Sequence, residues 1–393
     1  MAMGIKDKAA VIGMGCSKFG ERFDCSLEDL IVEAVEECLA DAGMEIGDID
    51  AFWFGCYSSG LAGDTLSNRL KIQYKPVTRL ENKCCTGTDA FRNACYAVAS
   101  GACNVAMAIG AEKLKDGGYS GLAVPHSEND ETAPIKSAPA GFALSAIAYM
   151  EKYGLTESEL RHALSRLEYK NCSNGVLSPK AMFRKEIPFE TILNAPYIGY
   201  PLTIYDCSGV ADGCACAIVC RTEDAKKYRK DPMYVKALQI VAGPAHSEKH
   251  QNYDFSCVVE TQHAVAAAYA EAGITNPRKQ ISLAEVHDCF SITELMLYED
   301  LGFSERGQGW KDVMNGVFDR DGELPVNISG GLKAFGHPIG ATGIRMIYES
   351  WLQFHGRAGA RQRENMKLGM AHNMGGPPFS CVVGVSIVGT ELD

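Results

Sequence analysis

The amino-acid sequence predicts an α/β protein on a mainly parallel sheet, in two halves of similar element order, the first carrying a long loop-rich insertion. Three observations carry this. Short apolar runs such as Ala51 to Cys56 and Asn104 to Gly110 alternate with segments of helical periodicity, the pattern of strands joined by crossover helices. From about residue 115 to 201 that pattern breaks into Gly, Pro and polar residues around one amphipathic helix beginning near Thr156, too long for a plain connection. After the charged stretch Arg221 to Asp231, which reads as a linker, strand and helix resume at Tyr234. The expected boundaries are therefore residues 1–229, including the insertion, and 230–393.

In order, Ala9 to Gly13 reads as a short apolar strand before Met14-Gly15-Cys16. The Gly-x-Gly there lacks the third glycine of a dinucleotide fingerprint, position 18 being Lys, which excludes a Rossmann cofactor site. Ser26 caps a helix with the apolar face Leu27, Leu30, Ile31, Ala34, Val35, Cys38 and Leu39, and Gly43 stops it. Arg79 to Gly101 reads as strand, sharp turn and helix, with Cys84, Cys85, Thr86 and Gly87 at the helix start. Leu202 to Cys220 returns to strand-like composition. The second half offers a strand at Tyr234, a helix near Gln262 to Ala272, a strand Ile281 to Val286, and a run Pro325 to Ile328 leading into Ser329-Gly330-Gly331. From there to His355 the chain again reads strand, glycine-rich turn and helix, with Ile344, Ile347, Trp351 and Leu352 on one face.

With 393 residues, 46% of them hydrophobic, the chain can fill two cores. A net charge of -11 argues against general nucleic-acid affinity and suits a soluble cytoplasmic protein. Sixteen cysteines without an apolar signal core in MAMGIKDKAAV are expected to be reduced thiols. No apolar run approaches the ~18 residues that span a bilayer, and the end GTELD carries no peroxisomal Ser-Lys-Leu signal. Cys207, Cys214, Cys216 and Cys220 lack paired C-x-x-C spacing, so small residues on a buried strand are expected there rather than a metal site.

Three stretches carry chemistry. A cysteine at a helix start gains from unpaired N–H groups and the macrodipole, both favouring thiolate, so Cys84 or Cys85 is a candidate nucleophile; two small core residues are the other reading. VHDCFSITE (Val286 to Glu294) and GGLKAFGHPIGATG (Gly330 to Gly343) set acid-base side chains among small or apolar neighbours. Separately, Arg161, Arg166, Lys170, Lys180, Arg184 and Lys185 face one acid, Glu168, over that sequence window. This is either a solvated face or an attraction for an anion.

These motifs resemble the thiolases, in particular the branch with sterol-carrier-protein-2-type and archaeal enzymes, from about Lys8 to Gly389. Cys-x-Ser/Thr-Gly fits Cys84-Cys85-Thr86-Gly87 and selects Cys84; His-Asp-Cys-Phe fits His287 to Phe290, and Gly-His-Pro fits Gly336 to Pro338. The resemblance implies duplicated βαβαβαββ halves in five layers, αβαβα, with the active site between them. It implies Cys84 as nucleophile, His337 as its base, His287 completing one oxyanion hole through a water, and the Cys84 N–H with one from Gly375 or Gly376 forming the other. Many thiolases take a second acid-base cysteine from a C-terminal Cys-x-Gly, but this chain reads His372-Asn373-Met374-Gly375-Gly376, and Cys289 is the expected substitute. Cys381 lies too far past the glycines to be first choice, and His372 reads as a hydrogen-bonded strand end.

By the same resemblance coenzyme A is a co-substrate, no cofactor is bound tightly, and Arg166, Lys180, Arg184 and Lys185 are expected to attract its phosphates. A homodimer is the minimum assembly, and a small zinc-ribbon and OB-fold protein is a possible partner. The implied reaction is thiolysis of a 3-ketoacyl-CoA or the reverse Claisen condensation. Cys85, Thr88, Asp89 and Phe91 depart from the small residues expected beside the nucleophile of an acetoacetyl-CoA thiolase, which suggests an unusual acyl group. The cysteine-rich composition hints at an anaerobe, where benzoylsuccinyl-CoA thiolase belongs to this branch. The alternatives are an acetoacetyl-CoA thiolase, a decarboxylating ketoacyl synthase and a non-catalytic acyl-CoA-binding subunit.

Overall fold

The computed structural model describes residues 4–118, 137–244, 253–378 and 380–393. Strands β1 (Ala9–Cys16), β2 (Ala51–Gly55), β3 (Val77–Leu80), β4 (Val105–Glu112), β5 (Tyr197–Gly199), β6 (Leu202–Thr203), β7 (Gly213–Arg221), β8 (Met233–Ala242), β9 (Leu283–Val286), β10 (Leu368–Gly375) and β11 (Val382–Gly389) form two sheets. All but β5 and β6 join one nine-stranded sheet of order β3-β2-β4-β7-β1-β8-β11-β10-β9. Read outward from the β1–β8 pair, the two sides repeat one arrangement, counted among the strands of this sheet: first strand, last strand, the strand before the last, second strand. The second half's counterpart of β3 is reduced to a single bridge, Ala284 to Val326, which is what the run Pro325 to Ile328 becomes.

The expected mainly parallel sheet is corrected. Only β2–β3, β2–β4 and β9–β10 pair in parallel, whereas β1–β7, β1–β8, β4–β7, β8–β11 and β10–β11 are antiparallel. Parallel neighbours need a crossover. Here the insertion brings the chain back into β7 against β4 from the opposite end, and a short turn joins β10 to β11. The charged stretch read as a linker instead contains a helix, Thr222–Tyr228.

Period-2 alternation sorts the first half's side chains onto two faces. Ala10, Ile12, Phe52, Phe54, Met107, Ile109, Cys214, Cys216, Ile218 and Cys220 pack with the helix Leu27–Ala42. Ala9, Val11, Ala106, Ala108, Ala215, Ala217 and Val219 share the other core with Ala90, Phe91, Ala94 and Cys95 of the helix Thr86–Ala99. Thr86–Ala99 also packs against Thr342–Phe354, and Val259–Ala272 covers β8 and β11, giving the layered α/β arrangement. The N-terminal Gly-x-Gly has a packing reason: a Cβ on Gly15 would stand 2.0 Å from the Ala34 carbonyl oxygen, so glycine lets Leu27–Ala42 lie down on β1. That helix is closed by a Ser26–Asp29 capping box and by Gly43 at φ 65°.

The described part of the insertion holds the helices Ala138–Tyr153 and Glu157–Val176 and the β5–β6 hairpin. Among the described residues no helix is long and apolar enough to cross a membrane.

Candidate active site

Three loops at the strand ends converge on one buried point. Cys84 leaves the β3 edge just before the helix Thr86–Ala99; His287 follows β9; His337 follows the short helix Gly331–Phe335. Their ligating atoms lie within 4.8 Å of one another, and the two imidazoles meet edge to face with centroids 5.3 Å apart. Sequence separations of about 200 and 250 residues thus collapse into one site.

Local contacts explain how the loops are held. Asp288 accepts from the backbone N–H of Leu332 (2.7 Å) and Lys333 (3.1 Å), tying the His287 loop to the start of the helix that delivers His337. Behind it, Arg345 forms a buried ion pair with Glu285 at 2.6 Å and bonds the Ser329 hydroxyl, which itself donates to Glu285. The strand leading into the His287 loop is thereby fixed to the glycine turn. From the opposite side, Ser208 N–H donates to the Cys289 carbonyl at 3.0 Å and His337 N–H to the Gly209 carbonyl at 2.8 Å. Glu112, wholly buried at the end of β4, accepts from the N–H groups of Tyr57, Ser58 and Ser59 and, at 3.2 Å, from Gly340.

The His337 ring has a definite polarity. The Thr342 hydroxyl donates to the Pro338 carbonyl at 2.9 Å, so at 2.7 Å from His337 Nδ1 it accepts from an Nδ1–H. The proton is then on Nδ1, and Nε2 is a bare lone pair, buried and without a hydrogen-bond partner among the described residues. Burial drives the His337 pKa down to about 3, so the ring is neutral at pH 7. Such a ring can accept a proton at Nε2.

Burial works against the thiolate that the helix start favours. Burial, with the Glu112 carboxylate adding to it, pushes the Cys84 thiol up to about 12. Cys84 lies against Leu114, Val210 and Ile339, and this desolvation outweighs the helix terminus. Cys85, beside it in sequence, points into the interface with β11, where a Cβ on Gly384 would meet its sulfur at 2.8 Å. Cys289 is buried with its sulfur 3.7 Å from the Thr293 hydroxyl; burial raises its pKa well above the thiol range, with the Cys84 thiol contributing. Of the two glycines, Gly375 is the one against Cys84: a Cβ there would be 2.6 Å from the Cys84 amide nitrogen. Gly376 turns outward at φ 100° beside Lys83 and Ser380.

Neighbours of the expected residues also matter. His372 faces away from the site, on the opposite face of β10 to Asn373, with Nε2 2.9 Å from the Thr261 hydroxyl. Asn373, passed over in the sequence because it is not cysteine, points in, its Nδ2 3.1 Å from His287 Nδ1. Cys381 opens β11 and is buried near Glu260. The strand parity of residues 372 and 373 was the available signal for Asn373. Thr342 and Glu112 carried no comparable signal.

The basic run is not one continuous patch in space. Arg161 is buried on Asp206 at 2.6 Å and Lys170 on Glu294 at 2.5 Å, while Arg166 pairs with Asp319 and Lys180 with Glu37. The compensating acids come from elsewhere in the chain, so charge counted along the sequence is not charge in space. Arg184 and Lys185 remain exposed. They follow Met182 and Phe183, which with Lys18, Ser208, Gly209 and Val210 line a cleft of about 480 Å³ that reaches the Cys84 cluster through Val210.

Two family models match: "Thiolase, N-terminal domain" over residues 8–194 and "Thiolase C-terminal domain-like" over 242–387. An acetyl-CoA acetyltransferase of Methanothermobacter thermautotrophicus is 37% identical over 375 residues, covering 93% of this chain and 96% of that one. Benzoylsuccinyl-CoA thiolase subunit BbsB of Thauera aromatica is 30% identical over 380 residues, covering 95% and 96%. Among solved structures, the Ltp2-ChsH2(DUF35) aldolase superposes with a TM-score of 0.83 over 99% of both chains at 23% identity. Matched over both halves, with a relative above one-third identity along nearly its whole length, the chain belongs to the thiolase family of acyltransferases.

Proposed function

We propose that this chain is a thiolase that cleaves, or in reverse forms, a 3-ketoacyl-CoA through an acyl-Cys84 intermediate. The observation that carries the reading is a His337 ring with an Nε2 lone pair that has no hydrogen-bond partner among the described residues, in a cluster with Cys84 and His287 whose ligating atoms lie within 4.8 Å of one another. Because the thiol stays protonated at rest, its proton passes to His337 Nε2 as sulfur attacks the 3-keto carbon. The Cα–Cβ bond then breaks, leaving the shortened acyl group on Cys84 and the enolate of the CoA thioester that keeps the α-carbon. Cys289, held as a thiol by its raised pKa, protonates that enolate carbon. Incoming CoA finally gives its thiol proton to the Cys289 thiolate and takes the acyl group from Cys84, with His337 restoring the Cys84 proton.

Oxyanion stabilisation falls to His287 and protonated His337 for the enolate oxygen, and to the Cys84 and Gly375 N–H groups for the tetrahedral oxygen. The cleft beside Val210 suits the pantetheine arm, and Arg184 and Lys185 near its mouth suit the nucleotide phosphates. We favour an acyl group larger than acetyl, such as the aromatic group of benzoylsuccinyl-CoA; the BbsB relative and the Phe142–Phe290 stack beside Cys289 (centroids 4.4 Å) support it. The relatedness to an acetyl-CoA acetyltransferase makes acetoacetyl-CoA the competing substrate. Partner dependence belongs to the same proposal, supported by a relative named as a subunit and a structural neighbour titled as a two-protein assembly. So do a homodimeric state, a cytoplasmic location and the two-domain boundary near residue 230.

The test is mass spectrometry of the intact protein after exposure to acetoacetyl-CoA, benzoylsuccinyl-CoA and intermediate 3-ketoacyl-CoAs. We expect an acyl adduct on Cys84, absent in Cys84→Ser. Acylation at a normal rate in that variant, or at Cys85 in the parent, overturns the assignment.

A further inference from the structure

His287 and His337 meet at one point, yet their outer nitrogens are held by different partners. Thr342 fixes His337 with its proton on Nδ1. At His287 the partner is an amide: Asn373 Nδ2 lies 3.1 Å from His287 Nδ1, and Asn373 Oδ1 takes the Thr88 hydroxyl at 3.2 Å. Amide nitrogen is a donor only, so His287 Nδ1 must accept, and the imidazole proton is on Nε2. All three residues are buried: Thr88 is 1% exposed, His287 1% and Asn373 not at all.

We propose that Asn373 is a positioning residue that holds His287 in its Nε2–H form, with Thr88 as the anchor that keeps the amide from turning over. The two site histidines are thereby locked in opposite tautomers: His337 offers the site a lone pair and His287 a proton. One ring is ready to take the thiol proton while the other already donates, and His337 becomes a donor to the site only once it holds that proton. Burial, the neighbouring His337 ring and the His372 ring hold the His287 pKa well below the usual range, so the neutral ring must carry this polarity. The cysteine that many relatives of this fold are expected to carry at the C-terminal turn is thus replaced here by a residue working through His287.

The proposal rests on the thiolase reading for its meaning but not for its measurement. Nitrogen-15 NMR of the full chain labelled in histidine reads the tautomer directly, with the His287 signals assigned by their loss in His287→Gln. We expect Nε2–H in the parent. In Asn373→Asp, an acceptor alone, we expect Nδ1–H or imidazolium, and in Thr88→Val, which keeps the shape without the anchor, a mixture. Deuterium exchange at the α-carbon of a bound acyl-CoA should fall ~10²- to 10³-fold in Asn373→Asp, the range for loss of one oxyanion donor, and far more than acylation of Cys84. Nδ1–H in the parent means that the amide is reversed and overturns the proposal. An unchanged tautomer in both variants does so too, and an exchange rate that falls without a tautomer change assigns Asn373 to packing. Failure of Cys84 to acylate in the parent would sink the thiolase reading while leaving the tautomer result standing.

Discussion

At the scale of single residues, burial sets the chemistry. Cys84, Cys289, His287 and His337 are each moved by desolvation toward the neutral form. A neutral thiol beside a neutral imidazole avoids placing an ion pair in a dry site before substrate arrives, and couples proton transfer to bond formation. Cys289 is where this leads to a sharp expectation. In Cys289→Ala, Cys84 should still accept an acyl group from a simple acyl-CoA, because that half-reaction uses His337 and the backbone donors. Exchange of α-hydrogens into heavy water, and thiolysis with it, should fall by ~10² to 10⁴-fold. Exchange at the parent rate would remove the thiol from the mechanism, and loss of acylation as well would mark Cys289 as a packing residue.

Elements matter here through how closely they approach. The helix Leu27–Ala42 rests on β1 over Gly13 and Gly15, and a Cβ on Gly15 would overlap the Ala34 carbonyl and come within 2.7 Å of the Cys38 amide nitrogen. Backbone cannot step aside as a side chain can. Gly15→Ala should therefore destabilise the fold by about 1–3 kcal/mol, the usual range for overpacking, read as a fall in the urea midpoint without a change in slope. A parent-like midpoint would mean that the helix can shift without loss. The Asp288 link between the His287 loop and the His337 helix is the second element-level device, since it ties together segments 44 residues apart in the chain.

For the molecule as a whole, charge is distributed by the fold rather than by the sequence. Arg166 and Lys180 are consumed by Asp319 and Glu37, and only Arg184 and Lys185 of the four expected CoA contacts stay exposed beside the cleft. Arg184→Glu or Lys185→Glu should raise the KM for CoA several-fold with little change in kcat. The effect should shrink as salt rises, since exposed charges are screened beyond about 8 Å at physiological ionic strength. Lys180→Glu, by contrast, sets two acids against each other and should lower the melting temperature. Equal KM shifts at all four positions would restore the continuous basic patch that the structure divides.

The sequence by itself determined the α/β class, the echo between halves, the Ser26 to Gly43 helix and the three motif loops. These rest on local periodicity, capping chemistry and residues adjacent in the chain. It could not determine strand direction, because β1 pairs with β7 and β8 across some two hundred residues and the alternation of apolar positions is the same for parallel and antiparallel neighbours. Nor could it give the thiol's ionisation or the tautomers of the two histidines. Those depend on Glu112, Thr342, Asn373 and Thr88, which the fold alone brings to the site. Desolvation and hydrogen-bond polarity are properties of what surrounds a side chain, and only tertiary structure supplies the surroundings.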